Sequence, residues 1–227
     1  MLYTLAIVRK VAIVTVSCLL LAQLTPSIAL ACEGAAIEFK KEGNGKFNEA
    51  GAITKSVQKF FFVSPNERGN TNFECKEVKV GGELVANSTT ATVIPIEYKG
   101  CEEAANKDPA TITASGCAYK YSIIKEVKPE EYTGEMQIVN NGTTCKIALK
   151  TAAECKITVG GQGVAHPKVT YTNFTGGMPK ELEIANSVEP LEYTVEEFKG
   201  CNGFKVAAKF SNGLYSGAFR LQHVSIK

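Results

Sequence analysis

Apolar and polar residues alternate with period two along much of this chain. Leu191, Tyr193 and Val195 fall on one side of an extended segment, and Glu192, Thr194 and Glu196 fall on the other. Phe204, Val206, Ala208 and Phe210 repeat the arrangement. Period two with one apolar face marks a half-buried antiparallel strand. The run Phe60-Phe61-Phe62-Val63, closed by Ser64-Pro65-Asn66, predicts a buried strand. Further strands are predicted over residues 72–78, 83–86, 91–98, 118–125, 135–139, 146–150, 156–159, 168–172, 181–185, 191–198, 205–210 and 214–226. Gly81-Gly82, Asn140-Asn141-Gly142 and Gly160-Gly161 supply turns, Asn-Gly being the strongest of these signals. Beyond the N-terminus no long segment has a helical period. The expected fold is all-β: an antiparallel sandwich or barrel-like domain, braced by disulfides.

Short words recur about 100 residues apart. Thr71-Asn72-Phe73 returns as Thr172-Asn173-Phe174. Glu83-Leu84 with Ala86-Asn87-Ser88 returns as Glu181-Leu182 with Ala185-Asn186-Ser187, and Glu97-Tyr98-Lys99-Gly100-Cys101 as Glu197-Phe198-Lys199-Gly200-Cys201. Matches in the same order at near-constant offset suggest an internal repeat, 71–101 with 172–201. The competing reading is chance among short words in a strand-rich chain.

The first 31 residues have the form of a secretion signal. Arg9 and Lys10 precede the apolar run at 11–22, and Ala29-Leu30-Ala31 makes a small-x-small cleavage site. Gln23, Thr25, Pro26 and Ser27 end that run short of the roughly 20 residues a spanning helix needs. Residues 32–54 read as a flexible arm with one short strand near 36–40, and 55–227 as the β-rich domain. The chain carries 25 basic and 23 acidic side chains, and both charges of the leader are basic, so the remainder is formally neutral. Such a balance gives no electrostatic reason to bind nucleic acid or an anionic membrane.

An exported chain meets an oxidising compartment, which changes the meaning of its cysteines. Cys18 lies in the leader. Cys75, Cys101, Cys117, Cys145, Cys155 and Cys201 are then disulfide candidates, with 15 possible connectivities. Cys75 with Cys101 closes the hairpin unit most directly. Cys117 with Cys145 and Cys155 with Cys201 is the favoured remainder, and a Cys145 to Cys155 staple is the alternative. Cys32 would be the first residue after cleavage. Acylation of its thiol would anchor the protein, although Ala29 is not the bulky aliphatic residue a lipobox prefers; a free or intermolecularly paired thiol is the other reading.

Catalytic signatures are sparse. His166 and His223 are the sole imidazoles and read as surface residues, and no GxSxG elbow occurs. The adjacent pairs Glu102-Glu103, Glu130-Glu131 and Glu196-Glu197 cannot each form a facing dyad, because strand neighbours point apart; they read as solvated charge. Gly160-Gly161-Gln162-Gly163 opens no helix that could cradle phosphate and reads as a flexible turn. Without CxxC spacing, no zinc site or other cofactor is expected. Asn87, Asn141 and Asn173 stand in N-x-S/T sequons, which imply surface positions in a host that glycosylates.

Several motifs together carry a resemblance. Phe73 and Cys75 lead to Tyr-x-Gly-Cys at 98–101; Gly-Cys-x-Tyr follows at 116–119, Val-Thr-Tyr-Thr-Asn at 169–173 and Tyr-x-Gly at 215–217. Over about residues 58–227 the chain resembles a family of uncharacterised secreted proteins from soil actinobacteria. That family usually carries a cysteine directly after the strand matching 137–139; here Asn140 stands there and Cys145 lies further on. The resemblance implies compartment and fold and no chemistry.

The expectation is therefore a secreted or cell-surface, non-catalytic structural or binding protein. Its partner would be an unidentified ligand or envelope component, and a membrane only through acylated Cys32. A secreted hydrolase with a loop-built site and a surface adhesion module are the alternatives.

Overall fold

A computed structural model of the chain describes residues 37–41, 57–64, 69–83, 88–163, 166–174, 176, 180–205 and 207–227. The expected signal segment, Cys32 and most of the arm lie outside them. Among the described residues fourteen strands occur and no helix. They are β1 (Phe39–Lys41), β2 (Gln58–Val63), β3 (Asn70–Glu83), β4 (Thr90–Glu103), β5 (Ala110–Ser115), β6 (Cys117–Lys128), β7 (Glu131–Asn140), β8 (Lys146–Thr151), β9 (Cys155–Gly160), β10 (Gln162–Gly163), β11 (His166–Phe174), β12 (Glu181–Phe198), β13 (Lys209–Gln222) and β14 (Val224–Ile226).

Every pairing is antiparallel, and eight strands close a ring. The order runs β7-β6-β4-β3-β2-β13-β12, and β11 pairs both β12 and β7 to complete it. Closure removes the unpaired edges that an open sheet leaves exposed. A branch, β9-β8-β5, continues the sheet from β12. The split follows from Pro190, which has no N–H to give to a ladder. Register shifts lie between Val188 and Leu191 and between Leu191 and Tyr193. Before that break β12 pairs β11; after it, from Thr194, it pairs β9. β13 flanks β12 on both sides of the break. β4 behaves alike: Thr90–Val93 face β6, while its far end reaches the β5 side through the Glu102–Pro109 bridge.

The inward positions are aromatic. Phe60, Tyr119, Tyr121, Tyr171, Tyr215 and Phe219 are fully buried beside Met136, with ring centroids 4.8 Å apart for Phe60–Tyr215 and 6.0 Å for Tyr121–Phe219. Each such ring removes on the order of 150–250 Å² from water, so large side chains alone can fill a narrow barrel. At the Glu181 end of β12, β1 pairs β14, and Phe39 meets Tyr171 edge-on at 5.6 Å. At the Phe198 end, Phe204, Phe210, Tyr193 and Phe62 stack over one another. Aromatic packing thus covers both ends.

Three disulfides fasten the frame. Cys75–Cys101 joins residues directly opposite on β3 and β4. Cys117–Cys145 ties the start of β6 to the chain leading into β8, and Cys155–Cys201 ties β9 to the turn after β12. The last two staple the branch to the ring. These are the partners favoured from the sequence, and the Cys145–Cys155 staple is not formed. Asn140 lies directly opposite Cys117. Its Oδ1 accepts the Cys145 N–H at 2.9 Å, so the asparagine holds Cys145 within reach of Cys117.

Several expected boundaries shift. Gly81 and Gly82 are no turn: they pair Ile94 and Val93 inside β3, which runs on to Glu83; residues 84–86 of the next expected strand lie outside the described residues. The strands expected at 181–185 and 191–198 are one, because β13 carries the ladder past Pro190. Of the strand expected at 205–210, Lys209 and Phe210 belong to the start of β13, Lys205, Ala207 and Ala208 lie outside any strand, and Val206 lies outside the described residues. The arm's short strand appears as β1 and belongs to the same compact unit, Ile37–Lys227.

The recurring words do not occupy equivalent places. Thr71 and Phe73 open β3 and face the core, whereas Thr172-Asn173-Phe174 closes β11 with Asn173 inward and Phe174 38 % exposed. Cys101 lies within β4, and Cys201 lies in the turn beyond β12.

Candidate functional site

The branch creates a groove against β12. Its wall is the outward face of β8 and β9, its rim the Gly160–Gln162 crossing into β10, and it encloses about 340 Å³. Gln162 fixes the rim to β12: its Nε2 donates to Glu192 O at 2.9 Å and its Oε1 accepts the Glu192 N–H at 2.8 Å. This clamp sits where Pro190 disrupts the ladder. Gly161 fits there because a Cβ would lie 3.1 Å from Asn140 Oδ1. The turn expected to be flexible is pinned at both neighbours.

Charge converges on Glu196. Its Oε2 pairs with Lys156 Nζ at 2.7 Å, and its Oε1 receives Lys146 Nζ at 2.9 Å and Thr158 Oγ1 at 3.2 Å. Hydrogen bonds from Lys156 and then Lys146 hold the carboxyl down to about 2. Lys209 and Glu192 form a second pair across the rim at 2.6 Å. At any neutral pH the groove thus presents ionised, mutually neutralised groups. It can offer hydrogen bonds to a polar ligand. Its lining includes no imidazole, and Glu196 is far too acidic to serve as a base near pH 7.

A second concavity, about 330 Å³, lies outside β2, β3 and β13. Phe61 and Leu214 floor it, and the Lys59–Glu74 pair at 2.9 Å borders it.

Inside the barrel the tyrosines form a polar thread. Tyr98 and Tyr119 hydroxyls lie 2.6 Å apart. Tyr215 donates to Gln58 Oε1 at 2.7 Å, and Gln58 Nε2 donates to Ala218 O at 2.7 Å. Burial pushes the Tyr98, Tyr121 and Tyr215 phenols well above their usual range and Tyr119 up to about 12. These phenols stay neutral, so they act as hydrogen-bond partners and not as nucleophiles. Gly217 makes room for Gln58, whose amide a Cβ there would strike. The sequence shows these tyrosines only as members of the apolar alternation; Tyr119-x-Tyr121 is the one local hint.

The remaining sequence candidates scatter. All six domain cysteines are bridged, so none is a thiolate ligand. Among the described residues no three His, Cys, Asp or Glu gather as metal ligands. His223 is exposed in the turn between β13 and β14 and lines neither concavity. His166 begins β11 opposite Glu189, and its side chain lies outside the described residues. None of the three carboxylate pairs is simple solvated charge: Glu130 accepts from buried Asn173, and Glu131 pairs with Lys128 at 2.8 Å. Glu103 is buried, its Oε2 capping the Asn106 N–H at 2.8 Å, and Glu196 is triply bonded. Asn173 contradicts its sequon: it is buried, and its Nδ2 donates to Glu130 Oε2 and Ile226 O, both at 2.7 Å. Asn141 is exposed, and Asn87 lies outside the described residues.

Comparison with protein families, with curated proteins and with solved structures gives no match.

Proposed function

We propose that this protein is a non-catalytic structural or binding module that works outside the cytoplasmic membrane. The filled interior carries this reading. Small barrels that bind ligands keep a lumen for them. Here aromatic side chains occupy that space and both ends are covered, so a partner meets the outer surface. Three bridges within one domain favour an oxidising compartment. The groove beside Cys145 is the place we assign to a polar partner such as an envelope component, because its hydrogen-bonding groups converge on a rigid, disulfide-tied frame. The test is co-sedimentation of the secreted protein with isolated cell-envelope material, wild type against Lys146→Glu/Lys209→Glu. Loss of sedimentation in the variant supports the groove, and no sedimentation of either protein contradicts an envelope partner.

One observation favours a surface adhesion module as the second reading. Ile124 and Val127 are 58 % and 47 % exposed, and each sits at a register shift between β6 and β7. Such bulges re-aim side chains outward. On this reading Ile124→Lys/Val127→Lys abolishes sedimentation while the groove variant retains it.

A further inference from the structure

We infer that Asn141 is a site of spontaneous backbone modification, and that the fold selects it over the other Asn-Gly pairs it describes. The chain contains four such pairs, beginning at Asn44, Asn141, Asn202 and Asn212. Asn44 lies outside the described residues. In an Asn-Gly pair the glycine nitrogen can reach the side-chain amide carbon because no Cβ obstructs ring closure. The Gly142 nitrogen gives up its proton and bonds to Asn141 Cγ; the Cγ–Nδ2 bond breaks and ammonia leaves. The cyclic succinimide then takes up one water molecule and opens to aspartate or isoaspartate. No oxidant or other co-reactant enters.

The three described pairs differ in what surrounds them. Asn212 is tied down: its Oδ1 lies 2.9 Å from the Tyr193 hydroxyl, and buried Gly213 is wedged within β13, where a Cβ would meet Tyr193 at 3.1 Å and Leu191 at 3.2 Å. Asn202-Gly203 sits in a turn closed by the Phe204 N–H to Cys201 O bond at 3.3 Å and anchored by the Cys155–Cys201 bridge. Asn202 O also accepts Thr71 Oγ1 at 2.9 Å, and the Gly203 backbone abuts that of Gly69. Neither pair has space for the main chain to pivot.

Asn141-Gly142 has that space. Both residues are exposed, the Asn141 amide has no protein hydrogen-bond partner, and a Cβ on Gly142 would meet nothing within 4 Å. Gly142 holds φ at 76°, so the turn already depends on glycine. The Asn141 N–H is held by Gly116 O at 2.8 Å, and an isolated bridge joins Asn141 to Thr143. The turn leads into Thr144 and Cys145, which line the groove. Modification there places a new carboxylate on the turn that leads to the groove, three residues before Thr144.

Ageing of the intact, disulfide-bonded protein in mildly alkaline buffer, followed by peptide mapping for isoaspartate, tests the assignment. Isoaspartate should accumulate at Asn141 several-fold faster than at Asn202 or Asn212, and Asn141→Gln should remove that product. After reduction and denaturation the three sites should converge in rate, since the fold then protects none. Equal rates at the three sites in the folded protein would overturn the inference. So would an Asn141 that stays intact in the folded protein while reacting in the denatured chain.

Discussion

Asn173 grips Ile226 at both faces of the peptide: its Nδ2 donates to Ile226 O at 2.7 Å and its Oδ1 accepts the Ile226 N–H at 2.9 Å. One buried amide thereby replaces a strand partner for β14, whose other edge pairs β1. The end cover of the barrel is hung on this side chain. Asn173→Ala leaves two buried main-chain groups without partners and should cost about 2–4 kcal/mol in urea unfolding. In a host that glycosylates, Asn173 should carry no glycan, because its nitrogen is occupied inside the fold.

Sequence patterning revealed the strands well and the closure poorly. Alternation locates Leu191, Tyr193 and Val195 correctly on the buried face because burial itself produces the pattern. It cannot show that β11 pairs β7 as well as β12, since that contact joins Tyr171 to Tyr132 across a long stretch of chain. Gly81-Gly82 misleads because glycine inside a long strand and glycine in a turn look the same locally. Cysteine order made the bridges legible. The groove was hidden, because Gln162, Glu192 and Glu196 come together only after β12 changes partner.

The tyrosine thread should contribute unevenly. Tyr215→Phe breaks the bond to Gln58 inside the barrel and should cost about 1–2 kcal/mol. Tyr121 differs. Its hydroxyl is buried and has no hydrogen-bond partner of good geometry, although the neighbouring Asn186 amide eases its ionisation slightly against the larger effect of burial. Tyr121→Phe should therefore change stability by less than about 0.5 kcal/mol, measured in the same denaturation series.

Acid should weaken the branch through Glu196. Its folded pKa, about 2, lies below the ordinary carboxylate value of 4.5, so its stabilisation is complete above 4.5 and fades as pH falls toward 2. Solvent reaches this cluster, which limits the effect to about 1–2 kcal/mol. Glu196→Gln should flatten the stability profile between pH 4.5 and 2 relative to wild type. An unchanged profile would contradict the pairing with Lys156 and Lys146.

Bridge removal should loosen the molecule locally before it unfolds globally. Cys117–Cys145 and Cys155–Cys201 span 28 and 46 residues, worth about 3.5 and 4 kcal/mol at most by loop entropy. In Cys117→Ala/Cys145→Ala, amide exchange should quicken first in β8 and β9, while β3 and β4, held by Cys75–Cys101, keep their protection.

The barrel is filled and covalently fastened, which fits the oxidising compartment proposed for it. Non-reducing peptide mapping of the secreted protein, alkylated in denaturant before digestion, tests that fastening most directly. Three cross-linked peptide pairs should appear, Cys75 with Cys101, Cys117 with Cys145 and Cys155 with Cys201, and those six should be alkylated only after reduction. Label on any of them without reductant, or a peptide joining Cys145 to Cys155, would contradict it.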